Sequence, residues 1–214
     1  MAAGLKKGLL ITLEGPEGSG KSTQSRMLAR FLRKKGYKVI HIWDPGSTKF
    51  GEAIRDILLK PGRKFSSNAE TMLYLAARAQ LVDEKIALAL KQKKIVICDR
   101  FIDATVCYQG YGLGVDIKKI EMFNDFVTGS IVPDMTFFLD INVKKGLKRS
   151  RNVKGFSDRI EKRGSLFHAK VRNGYIKQLK KFPDRIKRIS IDDNDKEEVQ
   201  VIIRRVVSDA IERS

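Results

Sequence analysis

Gly15-Pro16-Glu17-Gly18-Ser19-Gly20-Lys21-Ser22 fits the pattern G-x-x-x-x-G-K-[ST] and stands between a strand signal and a helix signal. Upstream, Leu9-Leu10-Ile11-Thr12-Leu13 is a short apolar run rich in β-formers. Downstream, residues 22–35 carry Met27, Leu28, Phe31 and Leu32 at helical spacing and stop at Gly36. In that setting glycines let backbone N–H groups curl around phosphate oxygens at a helix N-terminus. Lys21 then reaches the β- and γ-phosphates, and the Ser22 hydroxyl is placed to ligate Mg²⁺. The strand before and the helix after distinguish a nucleotide-binding loop, continued by Thr23, from a glycine-rich turn that happens to contain Lys and Ser.

Away from the loop, strand and helix signals alternate as in a wound α/β sheet. Further strands are expected at residues 39–43, 95–98, 135–141 and 186–191, giving a five-stranded parallel sheet with helices on both faces. Helices are expected at 50–59, 68–91, 117–127, a short one from Val143, then 165–180 and 196–211; loops at 44–48, 61–67, 109–115 and 152–157 contain most of the remaining turn residues. The chain shows no internal repeat and no low-complexity linker, and 214 residues suit one domain with a small mobile insert. Ligands of open parallel sheets collect at the carboxyl ends of the strands, so the loops beginning at Glu14, Asp44 and Asp99 should converge on one site.

Lys and Arg outnumber Asp and Glu 43 to 25, a net charge of +18 that favours polyanionic partners, nucleotides as well as nucleic acid. Basic residues crowd between Lys144 and Arg163 around a glycine-bearing segment, which points to phosphate clamping; a second group from Lys177 to Arg188 reads as a solvated face. No run of about 18 apolar residues exists to span a bilayer, and the N-terminus lacks the features of a signal peptide, so a cytoplasmic protein is expected. Cys98 and Cys107 read as reduced core thiols, and His41 and His168 lack a second ligand at metal-binding spacing.

Ile95-Val96-Ile97-Cys98-Asp99-Arg100 is the second chemical landmark, an apolar strand that delivers an acid and a base to its carboxyl end. Asp99 suits a Mg²⁺-linked carboxylate near Lys21, and the fork of Arg100 suits a second phosphoryl group. These features together make the sequence similar to the thymidylate kinase family over almost its whole length. The resemblance rests on the phosphate loop, on Asp44-Pro45-Gly46-Ser47-Thr48 followed by Gly51-Glu52-Ala53-Ile54-Arg55, and on Tyr74-x-x-x-Arg78. It continues through Asp99-Arg100-Phe101, Thr105, Tyr108-Gln109-Gly110 and Asp158-Arg159-Ile160-Glu161.

The resemblance implies a P-loop kinase-like three-layer fold in a single domain, 1–214, with a mobile lid at about 149–164. It also implies transfer of the ATP γ-phosphoryl group to dTMP with Mg²⁺ held near Ser22 and Asp99. Under it, Asp44 and Pro45 belong to the acceptor loop, and Glu17 lies near the acceptor sugar. Arg55 and Arg100 hold the dTMP phosphate, and Tyr74 lies against the thymine ring. Arg78, Thr105 and Gln109 meet the base edge, and Tyr108 crowds the ribose 2′ position. The phosphate loop offers Glu17-Gly18-Ser19 and no arginine, so the charge that develops in transfer falls to lid arginines. Arg151 and Arg159 are favoured over Arg149, which more plausibly closes the preceding helix. A homodimer is implied, and no membrane or nucleic acid is required.

The chain departs from the family pattern at Trp43-Asp44, where an Arg-Glu pair is common, at Ala104 and at Leu113, all on the acceptor side. Two other readings stay open: a kinase for another nucleoside monophosphate or a deoxynucleoside, and a non-catalytic P-loop protein that binds nucleic acid through its basic carboxyl half.

Overall fold

Apolar strands and amphipathic helices assemble in a computed structural model that describes residues 5–154 and 158–213. The strands β1 Leu9–Glu14, β2 Val39–Trp43, β3 Ile95–Asp99, β4 Met135–Asp140 and β5 Ile186–Ser190 form one parallel sheet in the order β2-β3-β1-β4-β5. Their ends differ from the expected ones by a residue or less. All of β1 is buried, and its period of two divides it between two cores. Ile11 and Leu13 pack with Leu28 and Leu32 of α1 (Lys21–Lys34) and with Val199, Ile203 and Val207 of α9 (Lys196–Arg213). On the opposite pleat Leu10 packs with Leu81, Val82 and Ile86. Burial of both faces is why β1, β3 and β4 read as largely apolar runs, whereas the edge strands β2 and β5 are partly exposed and β5 carries Lys187 and Arg188.

On the second face, α2 (Lys49–Leu59) starts at Thr48, whose Oγ1 accepts the Gly51 N–H at 2.8 Å. Next, α3 (Ser67–Leu81) passes through a π-helical turn, Val82–Ile86, into α4 (Ala87–Lys91), so the expected helix at 68–91 exists with a bulge in it. The expected loop at 109–115 is corrected in its first half. After α5 (Ile102–Thr105) the chain winds into a π-helical stretch, Val106–Gly112, with the Leu113 N–H on the Tyr108 carbonyl at 3.1 Å. The wider turn satisfies the backbone while keeping both Tyr108 and Gln109 buried.

Three helices complete the layers: α6 (Ile117–Thr128), α7 (Val143–Lys154) and α8 (Ser165–Lys181). The expected loop at 152–157 is helical through Lys154, and its residues 155–157 lie outside the described chain. From β1 the chain supplies β2 and β3 on one side and then crosses to β4 and β5 on the other, so the loop after β1 sits where the connections diverge. Two glycines seat α7 against that loop. A Cβ on Gly18, whose φ is 71°, would collide with the Gly146 carbonyl, and one on Gly146 would collide with the Glu17 carbonyl.

Candidate active site

Gly20, in the left-handed region with φ 90°, ends the phosphate loop and starts α1, so the first-turn N–H groups of α1 open toward the loop cavity. Lys21 lies buried beneath the loop, where its Nζ donates to the Gly15 and Pro16 carbonyls at 3.0 and 2.7 Å and to Ser19 Oγ at 3.3 Å. Ser19 Oγ in turn donates to the Pro16 carbonyl at 2.9 Å. Burial pulls the Lys21 ammonium down to about 8. A phosphate would offer it the charge that loop carbonyls do not.

The cavity above the loop measures about 670 Å³ and is lined by Glu17, Gly18, Gly20, Lys21, Ser22 and Thr23 from the loop and α1. Asp44, Arg55, Asp99, Arg100 and Arg149 close its other sides. The Ser22 hydroxyl hydrogen-bonds Asp99 Oδ2 across the mouth of the sheet. This hydroxyl–carboxylate pair of hard oxygens suits Mg²⁺, which in nucleotide sites takes one or two protein oxygens and completes its shell with phosphate and water.

A second, tighter cavity of about 90 Å³ adjoins the first and shares Glu17, Asp44, Arg55 and Arg100 with it. Pro45, Tyr74, Arg78, Thr105, Tyr108 and Gln109 supply most of the rest of its wall, together with Asp158 and Ile160. Arg100 stands on the boundary with a φ of 70°, a conformation that non-glycine residues adopt at a cost. It donates to Glu17 Oε1 at 2.7 Å and to the Gly15 carbonyl at 3.1 Å, and its guanidinium lies 4.8 Å from the Tyr108 ring centroid. Burial disfavours its charge, but Glu17 and neighbouring groups more than offset this and hold its pKa above the ordinary arginine value. The Tyr108 hydroxyl donates to the same Glu17 oxygen at 2.8 Å. Arg55 donates to the Pro45 carbonyl at 2.9 Å.

Arg78, only 1 % exposed, is fixed on several sides. Its Nε donates to Asp44 Oδ2 at 2.7 Å, one terminal nitrogen to Thr105 Oγ1 and Asn124 Oδ1 at 2.8 and 2.6 Å, and the other to the Phe101 carbonyl at 3.0 Å. Four of its five N–H groups are thereby engaged. The remaining one belongs to the nitrogen that meets the Phe101 carbonyl.

Glu17, Gly18 and Gly20 to Thr23 of the loop and all the expected acceptor residues therefore line these two cavities, while Gly15, Pro16 and Ser19 hold Lys21 beneath the loop. The lid arginines separate. Arg149 lines the loop cavity, Arg151 is exposed on α7, and Arg159 is elsewhere: its Nε donates to the Leu58 carbonyl at 2.6 Å, and it pairs with Glu70 at 2.7 Å. Arg149 does not close the helix as expected, since α7 runs on to Lys154; it sits in mid-helix, and Gly146 seats that helix on the phosphate loop and brings Arg149 with it. From residues 158–163, Asp158 and Ile160 form part of the acceptor wall instead.

Sequence reasoning missed Glu70 and Asn124, which fasten Gln109 and Arg78. Glu70 could have been found, since it precedes Tyr74 by four residues and Arg78 by eight, on the same side of a helix. Asn124 could not, because α6 meets α3 only in the folded chain.

A phosphate loop over one cavity, an arginine on the boundary and a second cavity for a small acceptor define a P-loop kinase. The family model for thymidylate kinase matches residues 13–203. A thymidylate kinase of Exiguobacterium sp. is 42% identical over 96% of this chain and 95% of its own length, and one of Protochlamydia amoebophila is 43% identical over 91% and 90%. The crystal structure of thymidylate kinase from Ehrlichia chaffeensis superposes with a TM-score of 0.77 at 33% identity, covering 94% of this chain and 98% of that one. The chain belongs to the thymidylate kinase family.

Proposed function

We propose that the protein catalyses ATP-dependent phosphorylation of dTMP to dTDP, with ATP over the phosphate loop and dTMP in the tighter cavity. The observation that carries this is the shared wall: Arg100 and Arg55 border both cavities, so two phosphoryl groups can meet end to end between them. Lys21 and the first turn of α1 hold the donor phosphates, and Ser22 and Asp99 would hold Mg²⁺, which supplies charge neutralisation between donor phosphates. On the acceptor side, Arg55 and Arg100 grip the dTMP phosphate and Glu17 takes the sugar hydroxyl. Tyr74 covers the base, with Asp44, Pro45, Arg78, Thr105, Tyr108 and Gln109 completing its surroundings. No general base is needed, because the acceptor oxygen is already largely ionised at neutral pH.

We assign the charge that develops in transfer to Arg149 first, because it alone of the three lid arginines lines the loop cavity. Arg151 and Arg159 would have to leave their present surroundings to take that role. The chain works as a single domain with its lid at about 149–164 and as a homodimer in the cytoplasm. In support of the dimer, α2 and α6 both pack on α3, and these helices leave Phe50, Met72, Met122 and Phe126 exposed. Among the described residues no helix is long and apolar enough to cross a membrane.

The test is ADP release measured with dTMP, dUMP, dCMP, dGMP and AMP as acceptors. The highest kcat/KM should fall to dTMP, and a purine monophosphate in first place would contradict the assignment. Oligonucleotide binding without turnover would favour the nucleic-acid reading instead.

A further inference from the structure

Glu70 is 1 % exposed and sits at the start of α3, yet it faces three polar partners from two other parts of the chain. Its Oε1 accepts from Gln109 Nε2 at 3.0 Å. Its Oε2 lies 2.7 Å from an Arg159 nitrogen and 2.6 Å from an Arg163 nitrogen. Both arginines are backed by aromatic rings, Arg159 at 4.9 Å from the Phe65 centroid and Arg163 at 4.6 Å from that of Phe167. Phe167 in turn meets the Tyr108 ring edge-on at 6.2 Å. Burying a carboxylate is costly unless paired charges and hydrogen bonds offset its desolvation, as the two guanidiniums and the amide do here.

We propose that Glu70 is the positioning residue that ties reading of the acceptor base to docking of residues 158–163. The inference rests on the assignment of the tighter cavity to dTMP. An ionised carboxylate only accepts hydrogen bonds, so it fixes the Gln109 amide with Nε2 toward α3 and leaves Oε1 as the amide's acceptor for a ligand. Thymine carries a ring N–H at N3; cytosine has a bare acceptor there. Glu70 therefore sets which of the two pyrimidines the amide favours, without touching either.

The same carboxylate anchors Arg159 and Arg163, whose segment walls the cavity through Asp158 and Ile160. From that segment the Glu161 carboxylate accepts a hydrogen bond from Ser150 on α7, next to Arg149 at the phosphate loop. A base that engages Gln109 thus favours the docked segment, and the docked segment favours the placement of α7.

The experiment measures kcat and KM for dTMP, dCMP and ATP in the full-length enzyme carrying Glu70→Gln, Arg163→Met or Arg163→Lys, with Arg55→Ala as a control on the pocket itself. Glu70→Gln should raise KM for dTMP about tenfold, leave KM for ATP nearly unchanged and narrow the dTMP-to-dCMP preference about tenfold, since an amide at 70 lets the Gln109 amide turn over. Deuterium uptake in residues 158–163 should fall when dTMP binds the wild type and respond far less in Glu70→Gln. Because that variant leaves two half-buried guanidiniums without their carboxylate, Arg163→Met gives a milder test: it should weaken the dTMP-linked protection, and Arg163→Lys should restore most of it. A folded Glu70→Gln enzyme with wild-type preference and wild-type protection overturns the proposal, as does Arg163→Met with unchanged protection should Glu70→Gln not fold. If Arg55→Ala leaves KM for dTMP unchanged, the pocket assignment fails and this inference with it; if Arg55→Ala raises KM while Glu70→Gln behaves as wild type, only the inference fails.

Discussion

Two buried ionisable groups flank the phosphate loop, and burial favours the neutral form of each, deprotonated for Lys21 and protonated for Glu14. Lys21 is held at about 8 by burial, so above that pH the free enzyme holds it largely neutral, whereas nucleotide phosphates restore its charge. Binding of ATP near pH ~9 should therefore take up a sizeable part of one proton, seen as a calorimetric heat that depends on the buffer's ionisation enthalpy. Lys21→Ala should abolish that dependence; its survival would place the proton elsewhere.

Glu14 is raised to about 8, chiefly by burial and then by the Asp103 carboxylate, against hydrogen bonds from the Tyr175 hydroxyl at 2.8 Å and the Phe101 N–H at 2.7 Å. The unfolded chain ionises near 4.5 and the folded one near 8, so this group takes stability away as pH rises through that window. A glutamine satisfies both partners without ionising. Glu14→Gln should thus stabilise the protein on the order of 3 kcal/mol at pH ~8 and much less at pH ~5. An equal change in Tm at both values would show that Glu14 does not titrate with folding.

Among the secondary-structure elements, α7 matters most for the chemistry, because Gly146 presses it on the phosphate loop and Arg149 follows. Arg149→Ala should lower kcat by roughly 10²-fold with KM for dTMP little changed, the pattern of a donor that acts on charge present only in the transition state. Arg159→Ala should instead act mainly on KM for dTMP. Single-turnover rates for the two variants decide between them, and a reversed pattern would return the catalytic role to Arg159.

The same element shows what was legible in the sequence. The strands, the phosphate loop and the Asp99-Arg100 strand end could all be read, because their signals are local: an apolar period and a fixed spacing of glycines. The identities of the acceptor residues came from spacing matched to a family pattern. Which lid arginine meets the loop was not legible, since it depends on the contact between Gly18 and Gly146 across three crossovers. The two π-helical turns were equally hidden, because one additional residue in a turn leaves the hydrophobic pattern nearly intact.

Taken whole, the molecule is a sheet whose carboxyl edge collects charge while one flank, α2, α3 and α6, keeps apolar side chains in water. Phe126 is 81 % exposed and Met122 58 %, apolar surface of the kind that marks a contact with another protein. Phe126→Glu should turn a dimer into a monomer in sedimentation equilibrium; a wild type that is already monomeric would refute the dimer. Part of the excess positive charge lies on α8 and β5, where Arg172 and Arg188 pair with Asp140 at 2.6 and 2.7 Å, so some of it is structural.

Direct passage of a phosphoryl group between the two adjoining cavities is tested by following the label from γ-labelled ATP through a single turnover. All transferred label should appear in the β-phosphate of dTDP, only when dTMP is present, and with inversion at phosphorus when the γ-phosphate is made chiral. Retention of configuration, or label trapped on the protein, would contradict it.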